Sequence, residues 1–245
     1  MKLSEVFEKE LSYIENEVLR DIVSETLDNT PEYIKDIPAS ATGKYHPEYS
    51  FGQGGLVRHI KASIGIAKSL LGTEMFNSTI YDYNNFEYNR HSYSRYDEDI
   101  YTHENFKDVC YSALLLHDCM KADDTPEHKT LFNHPLLASD LFNKTFSKYF
   151  KSDKLYNIIL RDDMTQKHDK YIKSYYNNHY EVDFPELLYY MCEDIKASIA
   201  SHMGEWNKKD DVILPKPFST CDKFVHLCDF LSSRRFLEYN FEKDV

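Results

Sequence analysis

Leu3, Val6, Phe7, Leu11, Ile14, Val18 and Ile22 recur at steps of three and four residues. That spacing predicts one amphipathic N-terminal helix, stopped at Thr30-Pro31 because the residue before a proline is pushed out of the helical region. A polar, turn-rich stretch follows over 37–55, IPASATGKYHPEYSFGQGG. A second helix is expected over 56–71, with Ile60, Ile64, Ala67, Leu70 and Leu71 facing inward. The texture then changes. Near 72–105 six tyrosines fall between Tyr81 and Tyr101 among Asn, Asp, Ser and Glu, the mark of a long loop or an insertion into the domain.

Val109 to Leu116 is almost wholly apolar and predicts a central buried helix. Another amphipathic helix is expected from Pro135 to Phe150, entered through His134-Pro135 with the proline in its first turn. Weaker helical signals cover 155–160 and 187–200. The last strong helix should run from about 220 to 237 and carries Phe224, Val225, Cys228 and Leu231. With only seven glycines and no strong run of alternating apolar and polar residues, the fold class is all-α. No repeat or composition break divides the chain, so a single helical domain over 1–245 is expected, its first 37 residues packing on the rest as a helix.

Composition narrows the class. A hydrophobic fraction of 42% in 245 residues supports one sizeable core. Nothing approaches the roughly 18 consecutive apolar residues of a membrane span. The opening MKLSEVFEKELSYIENE is charged throughout, which suits the first helix of a cytoplasmic protein better than a signal peptide. Five scattered cysteines, none in a CxxC pair, argue against a disulfide framework or zinc knuckle and read as small apolar helix residues. A net charge of −12 argues against broad nucleic-acid binding, which needs a basic surface to displace counterions. It leaves room for a local cationic pocket and a small acidic ligand, or one end of a strand.

Candidate chemistry stands out against this background. His117-Asp118 directly follows the apolar ALLL, where two polar side chains are costly to desolvate unless something pairs them. His59, His134 and His202 fall near helix ends, and Asp229 lies inside the apolar FVHLCDFL. Each has an ordinary structural role to hand, as a cap or, for Asp229, as a partner of Arg234 or Arg235. Together they form a set of imidazoles and carboxylates suited to Mn, Fe, Ni, Co, Zn or Mg, in a site for one or two ions that share a bridging carboxylate. Asp118 is the natural bridge.

The blocks GGLVRH, LLLHDCMK, NHPLLASDLF, ASHMGEW and HLCDFLSSRR, in that order over 38–237, resemble the HD superfamily of metal-dependent phosphohydrolases. The likeness is greatest to stand-alone bacterial and phage HD proteins with a PASATGKYHP-like segment, and to the HD domain of 3′-to-5′ exoribonucleases that also carry an OB-fold. It implies an HD-type helical bundle in which His59, His117, Asp118, His134, His202 and Asp229 are metal ligands. His59, His117, Asp118 and Asp229 would hold the first ion, and Asp118, His134 and His202 the second. The chain departs from the exoribonucleases in showing no OB-fold, and in Ser201-His202 where two histidines often stand, which speaks against a third ion.

The implied chemistry is attack on a nucleotide phosphate ester by a metal-activated hydroxide, with Asp118 and Lys121 as the catalytic pair. Lys121 matches the lysine of the family's HDxxK block and can meet phosphate as a point charge. Lys44 and His46 become substrate contacts. Arg58 is either a phosphate ligand or the ion partner of an acid, and Arg234 is a further candidate toward the pocket. Trp206 reads as a partly buried anchor, and His226, three residues before Asp229, as a supporting side chain. His91, His103, His128, His168 and His179 have no place in the pattern. The partner expected is a small nucleotide or a strand end, with monomer and homodimer equally open. Two alternatives remain: a 3′-to-5′ exonuclease on single-stranded RNA or DNA, and a non-catalytic nucleotide-sensing HD module.

Overall fold

The N-terminal apolar repeat folds as three helices rather than one: α1 (Leu3–Val6), α2 (Glu8–Leu11) and α3 (Glu17–Asp28). The physical reason is local. Asn16 caps α3 by accepting a hydrogen bond from Leu19 N at 2.9 Å, while the backbone N–H groups of Glu15 and Asn16 donate to Asp108 at 2.7 and 2.9 Å. These side-chain acceptors replace helical partners and turn the chain. Lys2 and the backbone of Ser4 then bond to Asp28, tying the start of the segment to its end. The apolar face survives the break, since Leu3, Phe7, Leu11, Ile14, Val18, Leu19 and Ile22 are all buried.

The computed structural model describes residues 2–40, 43, 45–73, 103–125, 127–151 and 184–235. Lys44, most of the tyrosine-rich segment and the weak signal at 155–160 lie outside the described residues, whereas the last helix ends at Ser232, short of the expected 237, with Ser233 as its C-cap. The remaining helices are α4 (Gly55–Leu71), α5 (His103–Leu116), α6 (His134–Lys151), α7 (Phe184–Ser201) and α8 (Thr220–Ser232). Strand appears only in a short antiparallel pair, β1 (Lys208–Lys209) with β2 (Val212–Ile213), among the described residues. The fold class is all-α, as the hydrophobic pattern requires. No helix among the described residues is long and apolar enough to cross a membrane.

Helix α5 sits at the centre. Phe106, Val109, Cys110, Ser112, Ala113, Leu114, Leu115 and Leu116 are fully buried, so the helix has no polar face over its second half. It packs against α2, α3, α4, α6, α7 and α8. One contiguous core runs from Leu3 to Cys228. The five cysteines are free and buried in it, and burial pushes the Cys119, Cys192 and Cys228 thiols up, away from reactive thiolate.

Two junctions aim the flanking helices. Gly55 opens α4 where a Cβ would lie 2.2 Å from Ser50 O, so only glycine allows this approach of loop to helix. At α8 a capping box operates, with Ser219 Oγ accepting from Asp222 N and Asp222 Oδ2 accepting from Ser219 N, both at 3.0 Å. Asp222 Oδ1 also accepts from Ser198 Oγ at 2.8 Å, which links the start of α8 to α7.

Candidate metal centre

Five segments bring polar residues to one end of α5. His59 stands one turn into α4, His117 and Asp118 follow the last turn of α5, and His134 is the first residue of α6. His202 follows α7, and Asp229 lies in α8. His59, His117, Asp118, His134 and His202 are buried. All six expected ligands therefore converge, in two groups that share Asp118: His59, His117, Asp118 and Asp229, and Asp118, His134 and His202.

The backbone decides which ring nitrogen faces inward. Nδ1 of His117 lies 2.7 Å from Leu114 O, Nδ1 of His134 2.5 Å from Leu131 O, and Nδ1 of His202 2.7 Å from Ile199 O. In each case the partner is the carbonyl three residues upstream, and a carbonyl only accepts, so Nδ1 carries the proton. For His59 the acceptor is Ser232 Oγ at 3.1 Å, whose own proton goes to Asp229 O at 2.8 Å. Every ring thus turns Nε2 toward the centre, where its lone pair meets a cation: a metal or, on His117, a proton.

The inward atoms approach closely. Nε2 of His59 and Nε2 of His117 are 3.4 Å apart, and those of His134 and His202 are 3.3 Å apart. Asp229 Oδ1 lies 3.0 Å from His59 Nε2 and 3.5 Å from His117 Nε2, and Asp118 Oδ2 completes the group at 3.5 and 3.4 Å from the same nitrogens. The other oxygen of Asp118, Oδ1, turns to the second group, 2.9 Å from His134 Nε2 and 3.6 Å from His202 Nε2. That oxygen is buried and, despite the short approach of His134, makes no hydrogen bond. Donors about 2.1 Å from one ion stand about 3.0–3.4 Å from each other, so both groups fit a divalent metal without rearrangement. Imidazole nitrogens facing each other and an unbonded buried carboxylate oxygen are unfavourable without a cation, and favourable around one.

Electrostatics agree. Burial would raise the Asp118 carboxyl, but Lys121 and His117 outweigh it and hold the group well below the ordinary carboxylate range. Burial likewise acts on Asp229 and is outweighed by His117 and His59. Burial pulls the His59 and His134 imidazoles down, toward the neutral ligand form. His117 goes the other way: Asp118 and Asp229 overcome its burial and lift it to about 10. The carboxylates demand positive charge at this point, from a proton or a metal.

The remaining candidates separate. Lys121 Nζ bonds directly to Asp118 Oδ2, and the residue also lines a cavity of about 330 Å³ with Asp36, Ile37, Pro38, Glu127 and His128, none of them a member of the ligand set. His46 lies beside the centre, its ring 5.9 Å from that of His59, and burial together with Lys121 lowers it to about 4, so it is neutral. Arg58 clamps a loop by donating to the carbonyls of Tyr49, Phe51 and Gln53 through Nε and Nη2. Arg235 does the same for Gly43 and His46. Arg234 instead lies over aromatic rings, 4.0 Å from the centroid of Phe230 and 4.9 Å from that of Trp206. Trp206 is half buried, 51% exposed, with its ring stacked on Phe230.

Supporting residues escaped the sequence reading. Ser232 orients His59, and Tyr49 donates to Ser232 O at 2.6 Å. Ser232 lies one helical turn after Asp229, a spacing that could have singled it out. His226 does support the centre, with Nδ1 2.6 Å from His202 O. Gly204 makes this possible: it has φ +57°, and a Cβ there would lie 2.2 Å from the His226 ring. The carbonyls of Leu114, Leu131 and Ile199 left no signal, because any residue supplies one.

No protein-family model, no curated protein and no solved structure matches the chain.

Proposed function

We propose that this protein is a metal-dependent phosphohydrolase of the HD type, holding two divalent ions and cleaving a nucleotide phosphate ester. The observation that carries this reading is the division of Asp118 between two donor groups, Oδ2 with His59, His117 and Asp229, and Oδ1 with His134 and His202. A carboxylate shared in this way suits a pair of ions a few ångströms apart, the arrangement that favours in-line displacement at phosphorus. The order of the motif blocks supports the same assignment.

A pair of divalent ions at this place supplies an acidified water and neutralises phosphoryl oxygens. The chain's own residues do the rest. Lys121 brings a positive charge to the centre, held against Asp118, where it can bind a phosphoryl oxygen. His46, neutral at physiological pH, offers a hydrogen bond to the substrate at the rim. The Ser232–His59 and Ile199–His202 contacts fix ligand rings, and His226 holds the backbone of His202, so that the donors need not reorganise when charge develops. The acidic chain favours a small nucleotide over a long strand.

The test is metal analysis followed by turnover. Wild-type protein loaded with Mn²⁺ should hold about two equivalents and release phosphate or a nucleoside from a panel of mono-, tri- and dinucleotides, whereas Asp118→Ala should do neither. Shortening of a 5′-labelled RNA oligomer from its 3′ end would redirect the assignment to an exonuclease. Stoichiometric metal with tight nucleotide binding and no turnover on any of these substrates would sink the hydrolase reading in favour of a sensor.

A further inference from the structure

Four residues beyond the ligand set gather at one rim of the centre. Trp206 comes four residues after His202, Phe230 directly follows Asp229, Arg234 is one turn further on, and Tyr45 precedes His46. The Trp206 and Phe230 rings stack at 5.7 Å with 17° between their planes. The Arg234 guanidinium carbon lies 4.0 Å from the Phe230 centroid, 4.9 Å from that of Trp206 and 5.8 Å from that of Tyr45. Trp206 and Tyr45 nonetheless remain 51% and 57% exposed.

Two features set this cluster apart from ordinary surface aromatics. Arg234 forms no ion pair among the described residues, and its Nε is buried without a hydrogen bond. Ring faces hold it, and no acid among the described residues pairs with it, so within them its charge is left for a ligand at the rim. The cluster is also coupled to the ligands. His226 lies 6.4 Å from Trp206 and 6.2 Å from Phe230, ring to ring, and bonds to His202 O, while the His46 ring faces His59.

We propose that Trp206, Phe230, Arg234 and Tyr45 form the subsite for the nucleobase of a substrate whose phosphate lies at the metal centre. This rests on the phosphohydrolase reading and adds the part of the substrate that is not phosphate. A base has a π face to stack on Trp206 and ring acceptors to meet the guanidinium. The chemistry is shared by a free nucleotide and by the last residue of a strand.

Trp206 is the chain's only tryptophan, so emission under selective tryptophan excitation reports this subsite alone. With Mn²⁺ present, adenosine 5′-monophosphate should change that emission saturably, and ribose 5-phosphate and inorganic phosphate should leave it unaltered. An adenylate pentamer acting at lower concentration than the mononucleotide would assign the base to a strand end, and equal potency would assign it to a free nucleotide. Both outcomes support the subsite. Binding of radiolabelled adenosine 5′-monophosphate should weaken roughly tenfold or more in Trp206→Ala and recover in Trp206→Phe, with metal content at the wild-type level in both. Hydrolysis of nucleotides by the wild type without any change in emission, or undiminished binding by Trp206→Ala, overturns the subsite and leaves the hydrolase reading standing. Emission changes without turnover do the reverse. Metal-loaded protein that binds no nucleotide overturns both.

Discussion

Helix α5 carries a buried aspartate near its start, and another follows its end, and the two behave in opposite ways. Asp108 is 2% exposed and Asp118 1%. Asp108 accepts two backbone N–H groups where α2 turns into α3, and burial lifts its carboxyl to about 6. Asp118 is faced by Lys121 and by histidine nitrogens, is held well below the ordinary range, and keeps one oxygen without a hydrogen bond. The first carboxylate finds its partners within the fold. The second is surrounded by donors that need a cation between them. Burial alone does not mark a functional acid. What marks it is which atoms face it and whether their protons are already committed elsewhere.

Four measurements break or sharpen that contrast. The largest effect is expected from Asp118→Ala, which removes one donor from each group: bound Mn²⁺ should fall from about two equivalents to near none, and turnover by at least roughly a thousandfold. Asp108→Ala should instead retain metal per folded molecule and lose stability, by about 2–4 kcal/mol, because two N–H groups are left without an acceptor. Metal retained by Asp118→Ala, or lost by folded Asp108→Ala, would collapse the distinction.

Next comes the pH dependence of stability. Asp108 has a folded-state value of about 6 against an ordinary 3.8, so the folded state binds its proton more tightly. Its contribution is present below about pH 4 and is lost as pH rises to about 6, by up to about 3 kcal/mol. Asp118 and Asp229 are depressed below 3.8, so their contribution is present above that value and lost as the pH falls. Denaturant titrations of Asp108→Asn should therefore show a flatter profile between about pH 4 and 6 with the acid-side fall intact.

A smaller change is expected from Ser232→Ala. Without its acceptor His59 loses its fixed tautomer, and metal affinity, read by competition with a chelator, should weaken roughly 10- to 100-fold while the melting temperature barely moves. The smallest effect concerns protons. His117 is lifted to about 10, so metal binding near neutrality must expel a proton from it. Calorimetry in buffers of different ionisation enthalpy should show proton release, and affinity should rise by up to about tenfold per pH unit. Binding that is independent of pH between 6 and 8 would contradict the raised proton affinity of His117.

Much of this molecule was legible in its linear pattern, and the legible parts share a cause. The bounds of α4, α6 and α7 and the start of α8 follow from apolar spacing and from nearby glycine, proline and serine, which act within one or two turns, while α8 ends at Ser232 rather than near 237. The all-apolar run before His117 announced a buried helix ending in two polar residues, and the order of the motif blocks named all six candidate ligands. The N-terminal segment misled because its period of three and four persists through a bend, and the bend depends on Asp108, about 90 residues away in the chain. Arg58 could not be resolved by pattern either, since whether an arginine meets a carbonyl or an acid depends on how the loop before α4 folds back on it.

Sequence alone determined the residue types of the centre, the helices that carry them and the end of α5 at which they belong, because periodicity and capping are local. Only the tertiary structure decided that Nε2 of each histidine points inward, that Asp118 divides its two oxygens between two donor groups, and that Ser232 and Gly204 hold the rings in place. Those features depend on distances of about 3 Å between atoms from separate helices, and no spacing along the chain encodes them.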